Sequence, residues 1–169
     1  ALVVLVAPGP EALLPTVASR AVNVRFGAVP VAAPDLEGHP GARLGQPGLL
    51  AKAREHREAT AEARDAAAAF LASVRGDMLG ALEGAEALAK AVAAAHDSGA
   101  EPGPQGWLRE LLRDLPPDGY AAALDLVDAY EDALAAYANA ALAAAVLALR
   151  LRELLLALPD GPSVARLAG

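Results

Sequence analysis

Apolar residues recur with helical spacing along most of the chain, and the clearest run begins at Leu49. Steps of four and three residues connect apolar or small positions over more than three heptads, and these positions are Leu49, Ala53, His56, Thr60, Ala63, Ala67, Phe70 and Val74. This spacing is typical of a helix that packs along a partner helix. We therefore predict a long helix from Leu49, with a break or bend near Asp77–Gly80.

Three further helices are predicted after this one. The first runs from about Ala81 to Ser98 and ends at Gly99, since glycine readily takes the left-handed conformation that stops helices. The second is short, with Trp107, Leu108, Leu111, Leu112 and Leu115 on its apolar side. The third is the longest, from about Gly119 to Leu158, and a Pro-Asp-Gly-Pro stretch ends it.

The N-terminal pattern is different. Leu2–Val6 is a short β-branched run, and Val22–Phe26 alternates apolar and polar residues, so both are predicted as strands. Between them, Pro10–Ser19 has room for a short helix. We therefore expect a single domain over 1–169, with a strand-bearing segment at 1–35, a Gly/Pro-rich loop at 36–48, a helical bundle at 49–158 and a tail at 159–169.

These elements predict a mainly α (α+β) fold: a bundle of about four helices with a small N-terminal two-stranded β element. Within the last helix, Ala140–Leu149 holds no polar residue. A helix that is apolar all round must be enclosed by its own fold or covered by another subunit. We accordingly place this run at the centre of the bundle or in a dimer interface.

Composition narrows the function classes. The formal net charge is −7, and no basic cluster offers the positive surface that nucleic acid or an anionic membrane needs. Cysteine is absent, which excludes disulfides and thiolate metal sites. The 55% apolar fraction consists mostly of alanine, so no membrane span is expected, and no targeting signal is seen. We expect a soluble protein, cytoplasmic or recombinant, that binds neither nucleic acid nor membrane.

No phosphate-binding, dinucleotide-binding or serine-nucleophile motif is present, so an enzyme is not the favoured interpretation. The candidate polar site is His56, the one imidazole on the heptad seam. Among alanines on a bundle helix, it suits an axial ligand for haem or another metal complex. Thr60 lies one turn away, and Arg57 could meet haem carboxylates. Alternatively, His56 is partly buried at a helix end and hydrogen-bonded to Thr60 or to a backbone carbonyl.

Other polar residues extend this candidate pocket. His96 shares a stripe with Leu82, Ala85, Ala89 and Val92, so it could face the same cavity, although its place at a helix C-terminus also explains it. Tyr137 and Asn139 are candidate hydrogen-bonding contacts on the last helix. His39 falls in the Gly/Pro-rich stretch, where we expect it to be exposed.

Acidic stripes also invite a metal-site interpretation. Asp125, Asp128 and Asp132 form one stripe on the last predicted helix, and Glu58, Glu62 and Asp65 form another. A di-iron bundle needs Glu-x-x-His pairs, which the chain lacks. Both stripes are therefore interpreted as solvated helix faces.

Two resemblances bear on function. The stretch Val24-Arg25-Phe26-Gly27-Ala28-Val29, the long helix from Leu49 and the Val74-Arg75-Gly76 triplet resemble the gas-vesicle accessory proteins of the F/L family, which implies an α+β fold and assembly through protein contacts. The alanine- and leucine-filled helices with Pro and Pro-Asp-Gly boundaries resemble computationally designed proteins, which often hold a small-molecule pocket.

Two hypotheses follow. The chain is a binding module that holds an apolar or planar ligand, haem being one example, in an alanine-lined pocket with His56 as its polar contact. Alternatively, it is a non-enzymatic structural or interaction protein, for example in gas-vesicle assembly, that self-associates through its C-terminal apolar helix.

Overall fold

The computed structural model describes residues 14–18, 38–43 and 45–158, and 84% of these residues are helical. The helices are α1 (Pro15–Ala18), α2 (Pro40–Arg43), α3 (Pro47–Glu55), α4 (Arg57–Arg75), α5 (Met78–Ser98), α6 (Pro104–Leu111), α7 (Pro117–Ala135) and α8 (Ala140–Ala157). A 3₁₀ turn, Leu112–Asp114, follows α6. No strand occurs among the described residues.

The predicted fold, a bundle of about four helices with a two-stranded β element, is therefore wrong. The regular elements of the described part of the chain are all helices, and there are more of them than predicted. Two predicted long helices are each divided in two, and α2 lies within the predicted loop at 36–48. The predicted strands Leu2–Val6 and Val22–Phe26 lie outside the described residues. That 1–169 forms one domain stays a prediction.

Helices that pack against one another in pairs build the core. Helix α4 packs on α5, α5 packs on α8, and α8 packs on α7, while α6 contacts α4, α5 and α7. The short helix α6 thereby covers the side of the core between α4 and α7. Trp107 and Leu108 of α6 and Leu112 of the following 3₁₀ turn are buried, as the spacing indicated, whereas Leu111 is partly buried.

The heptad seam is confirmed for α4 but is not continuous with the preceding helix. Ala63, Ala67, Phe70 and Val74 are buried along α4. At His56 the backbone leaves the helical region, with φ −112° and ψ 46°, and there α3 ends and α4 begins.

The last predicted helix, Gly119–Leu158, is also divided. Helix α7 ends at Ala135, and Tyr137 adopts a left-handed conformation with φ 58°. Asn139 then starts α8, its side-chain oxygen accepting a hydrogen bond from the Leu142 N–H at 3.0 Å. One helix of this length would extend about 60 Å, roughly twice the length of α5. Folding back instead lets α8 bury apolar residues against α5.

Two close contacts fix the central helices. Gly84 of α5 lies so near Ser73 of α4 that an added Cβ would come within 2.7 Å of the serine Cβ. The Arg152 guanidinium of α8 donates to the carbonyl of Val74 at 3.0 Å and to that of Gly76. Because carbonyls at a helix C-terminus lack helical partners, this arginine ties α8 to the end of α4.

Candidate functional site

A groove between α7 and α8 could receive a partner. Its walls carry small and apolar side chains, among them Leu126, Ala129 and Ala133 of α7 and Leu142, Ala143 and Val146 of α8. Alanines keep the two helices from filling the space between them, and a volume of about 270 Å³ remains. The groove is partly open to solvent, so it can accept side chains from outside.

Polar groups border this groove. Asn139 lies at the α7–α8 link, and Arg150 lies further along α8, where its guanidinium is 3.5 Å from the Glu153 carboxylate. Tyr130 also lines the groove, and its buried hydroxyl has no hydrogen-bond partner in the described part of the chain. Burial raises the pKa of Tyr130 above its ordinary value, which keeps the phenol protonated.

An exposed apolar ridge runs along α8, and its residues Leu142 and Val146 also form one wall of the groove. Leu142 is 66% exposed, Val146 is 51% exposed and Leu156 is 65% exposed, while Leu149 between them is half-buried. The opposite face of α8, with Ala144, Leu147, Ala148 and Leu151, is buried in the core. The run Ala140–Leu149 is therefore not enclosed by the described part of its own fold, and its covering by another subunit stays a prediction.

The structure places His56 half-buried at the α3–α4 junction. It lies against Gly99, whose added Cβ would be 3.6 Å from the imidazole Nε2. The backbone N–H of Thr60 donates to the His56 carbonyl at 2.9 Å. His56 thus fills the corner where α4 starts and α5 ends, which accounts for its place on the seam without a ligand.

The other predicted pocket residues do not gather around His56. Arg57 and His96 are exposed, and Tyr137 is 97% exposed at the α7–α8 link. Of the predicted set, Asn139 alone lines the groove. The haem hypothesis stays a prediction, since the positions of these side chains do not test haem affinity.

The acidic side chains of the two predicted stripes are exposed, as expected for solvated faces. Asp128 and Glu131 of α7 both pair with Arg109 of α6, the latter at 2.8 Å. These ion pairs raise the pKa of Arg109 although its partial burial acts in the opposite direction. In the described part of the chain, no group of three or more His, Asp or Glu side chains is placed to hold a metal ion.

One buried polar group, His39, lies where the sequence pattern predicts an exposed loop. His39 is 2% exposed, contrary to the predicted exposed loop position, and its ring meets Trp107 edge-on. The Arg64 guanidinium lies 5.7 Å from the centre of the Trp107 ring. The Gly/Pro-rich surroundings of His39 carry no periodicity, so no local signal indicated that it would be buried.

The buried hydroxyl of Thr60 leads to a prediction about stability. The Thr60 side chain is 4% exposed, and its hydroxyl has no hydrogen-bond partner among the described residues. Since an unsatisfied buried hydroxyl is destabilising, we expect Thr60→Val to raise the free energy of unfolding by about 1 kcal/mol. Chemical denaturation measures the change. Thr60→Ser keeps the hydroxyl and should not stabilise; equal stabilisation by both variants would contradict the explanation.

Comparisons with known proteins give no relative: no family model, no curated protein and no solved structure matches the chain. The resemblances to designed proteins and to gas-vesicle accessory proteins therefore stay predictions. No helix in the described ranges is both long and apolar enough to cross a lipid bilayer.

Proposed function

We propose that the chain is a non-enzymatic interaction protein that pairs with a second copy of itself through the outer face of the α7–α8 hairpin. The single observation that carries the proposal is the exposed ridge of Leu142, Val146 and Leu156, the first two of which line an apolar groove. Large apolar side chains exposed on one face typically mark an interaction surface.

The spacing of this ridge favours a helical partner. Steps of four, three, four and three residues connect the positions on this side of α8, which are Leu142, Val146, Leu149, Glu153 and Leu156. A helix with this repeat presents one seam to a neighbouring helix, and here the seam is apolar except at Glu153. Because the buried residues of α8 lie on its other face, the seam is available without unfolding the bundle.

Ridge and groove together favour a second copy as the partner. In a two-fold dimer, the same patch is used by both subunits, so the patch must complement itself. Here Leu142 and Val146 of the ridge also form one wall of the groove, so a two-fold axis can place each copy's ridge against the other copy's groove. The ridge also carries opposite charges, Arg150 and Glu153, which such an axis can bring together across the interface.

The expected affinity is modest. Complete burial of one leucine or valine side chain contributes about 1.5–3 kcal/mol, and the ridge side chains are already partly covered. Association costs about 4–15 kcal/mol in lost translational and rotational freedom. We therefore expect a dissociation constant in the micromolar range or weaker, which requires measurement over a wide concentration range.

Sedimentation equilibrium of the full chain tests the proposal. The wild type should change from monomer to dimer as concentration rises, whereas Val146→Glu should stay monomeric because a carboxylate would be buried in the seam. Ala94→Glu is the matched control, since it adds the same charge at an exposed position of α5 and should associate as the wild type does.

Circular dichroism establishes that the variants are folded. A wild type that stays monomeric at all concentrations would overturn the proposal. Association of Val146→Glu with wild-type affinity would overturn the assigned surface.

A further inference from the structure

A second feature, independent of the α7–α8 face, is the anchoring of residues 38–43 by His39. Its imidazole is 2% exposed and meets Trp107 of α6 edge-on, with ring centres 5.4 Å apart and an angle of 89° between the rings. Trp107 itself is 4% exposed. His39 is thus inserted into the bundle at the start of α2.

The hydrogen bonding of His39 requires a neutral ring. Its Nδ1 accepts a hydrogen bond from the Gly41 backbone N–H at 3.1 Å, so Nδ1 must hold a lone pair and the proton must be on Nε2. Nε2 makes no hydrogen bond of normal geometry with any described residue. If Nδ1 gained a proton, two donors would face each other, and the bond to Gly41 would be lost.

The charged groups around His39 act in both directions. Desolvation lowers its pKa, whereas the Glu101 backbone carbonyl and, at longer range, the Glu110 carboxylate of α6 favour the protonated ring. The Glu101 side chain is engaged with Lys52 of α3 at 2.7 Å, and Arg64 of α4 adds a positive charge over Trp107. Burial outweighs the two favourable groups, and the pKa of His39 lies below its ordinary value.

We propose that His39 is a pH-sensitive latch, which holds residues 38–43 against α6 while its ring is neutral and releases them on protonation. A released imidazole in water binds its proton at a higher pH than the docked one. Docking is therefore at full strength above the ordinary histidine pKa of roughly 6.5 and weakens as pH falls below it. Release would expose the part of the Trp107 ring that His39 covers.

The chain contains its own reporter for this step, because Trp107 is its single tryptophan. Between about pH 7.5 and pH 5, the range in which histidine titrates, we expect the wild-type emission to shift reversibly to longer wavelength and acrylamide quenching to increase. Far-UV circular dichroism should keep its helical signal, since the main helices do not depend on this contact.

Three variants show which of the three histidines causes the transition in Trp107 emission. His39→Asn retains an oxygen able to accept from the Gly41 N–H but cannot titrate, so its emission should be independent of pH. His56→Gln and His96→Gln should keep the wild-type transition. Persistence of the transition in His39→Asn, or its absence in the wild type, would overturn the latch.

A second measurement covers the case in which His39→Asn fails to dock and shows long-wavelength emission at every pH. In the wild type, NMR titration of the histidine ring protons should give His39 a depressed pKa, with the Trp107 indole signal shifting over the same pH range. Titration of His39 without a change at Trp107 would also overturn the proposal.

Discussion

Phe70→Ala is expected to lower the free energy of unfolding by about 3–5 kcal/mol, the usual range for removal of a buried aromatic side chain. Phe70 is 1% exposed on α4 and belongs to the cluster of buried residues shared by α4, α5, α6, α7 and α8. This cluster is rich in alanine, whose small side chains cannot extend into the space that the ring would leave. Urea denaturation followed by circular dichroism gives the value.

The matched control is Leu79→Ala on α5, where the side chain is 66% exposed. Surface truncations of this kind usually change stability by less than about 0.5 kcal/mol. If Phe70→Ala and Leu79→Ala had equal effects, the assignment of Phe70 to the core of this bundle would be wrong.

Gly84→Ala is expected to have the second large effect, and the sign of its change in the free energy of unfolding is the informative part. Alanine in place of glycine within a helix ordinarily stabilises by about 1 kcal/mol. At Gly84 the added methyl group would overlap the Ser73 hydroxyl and lie 2.7 Å from the serine Cβ, which cannot move without its helix. We therefore expect a loss of about 1–3 kcal/mol, typical of overpacking, measured by urea denaturation.

A double-mutant cycle identifies the cause. Ser73→Gly removes both close atoms, so the Gly84→Ala/Ser73→Gly protein should be more stable than the sum of the single changes predicts. Gly48→Ala serves as control, because an added Cβ on this α3 residue meets no atom within 4 Å and should not destabilise. Additive effects at positions 73 and 84 would contradict the predicted clash.

Local pattern identified much of the helical structure. The period on α4 indicated which residues face the core, and Gly99 ends α5 in the left-handed conformation, with φ 71°, as predicted. The start of α5 was placed too late, since Asp77 accepts a hydrogen bond from the Gly80 N–H at 2.7 Å and lets the helix begin at Met78. Such caps depend on neighbouring residues and could have been found in the sequence.

The candidate site was harder to predict. The pattern favours His56 because it is the one imidazole on an apolar seam, yet that position is a corner between α3, α4 and the end of α5. The Gly/Pro-rich surroundings of His39 predict an exposed loop residue, yet His39 is among the most buried side chains described. Periodicity describes a residue relative to its own helix, so it cannot tell which other segment will cover that residue.

The sequence by itself determined the α4 seam, the stop at Gly99 and the apolar character of Ala140–Leu149, because spacing, glycine conformation and side-chain chemistry are local properties. Only the tertiary structure decided that the chain turns back at Tyr137, that α8 presents Leu142 and Val146 outwards, and that His39 lies against Trp107. These outcomes depend on which helices meet. Alanine is small and weakly apolar, so an alanine-rich face fits a close helix contact, an open groove or a solvent boundary equally well.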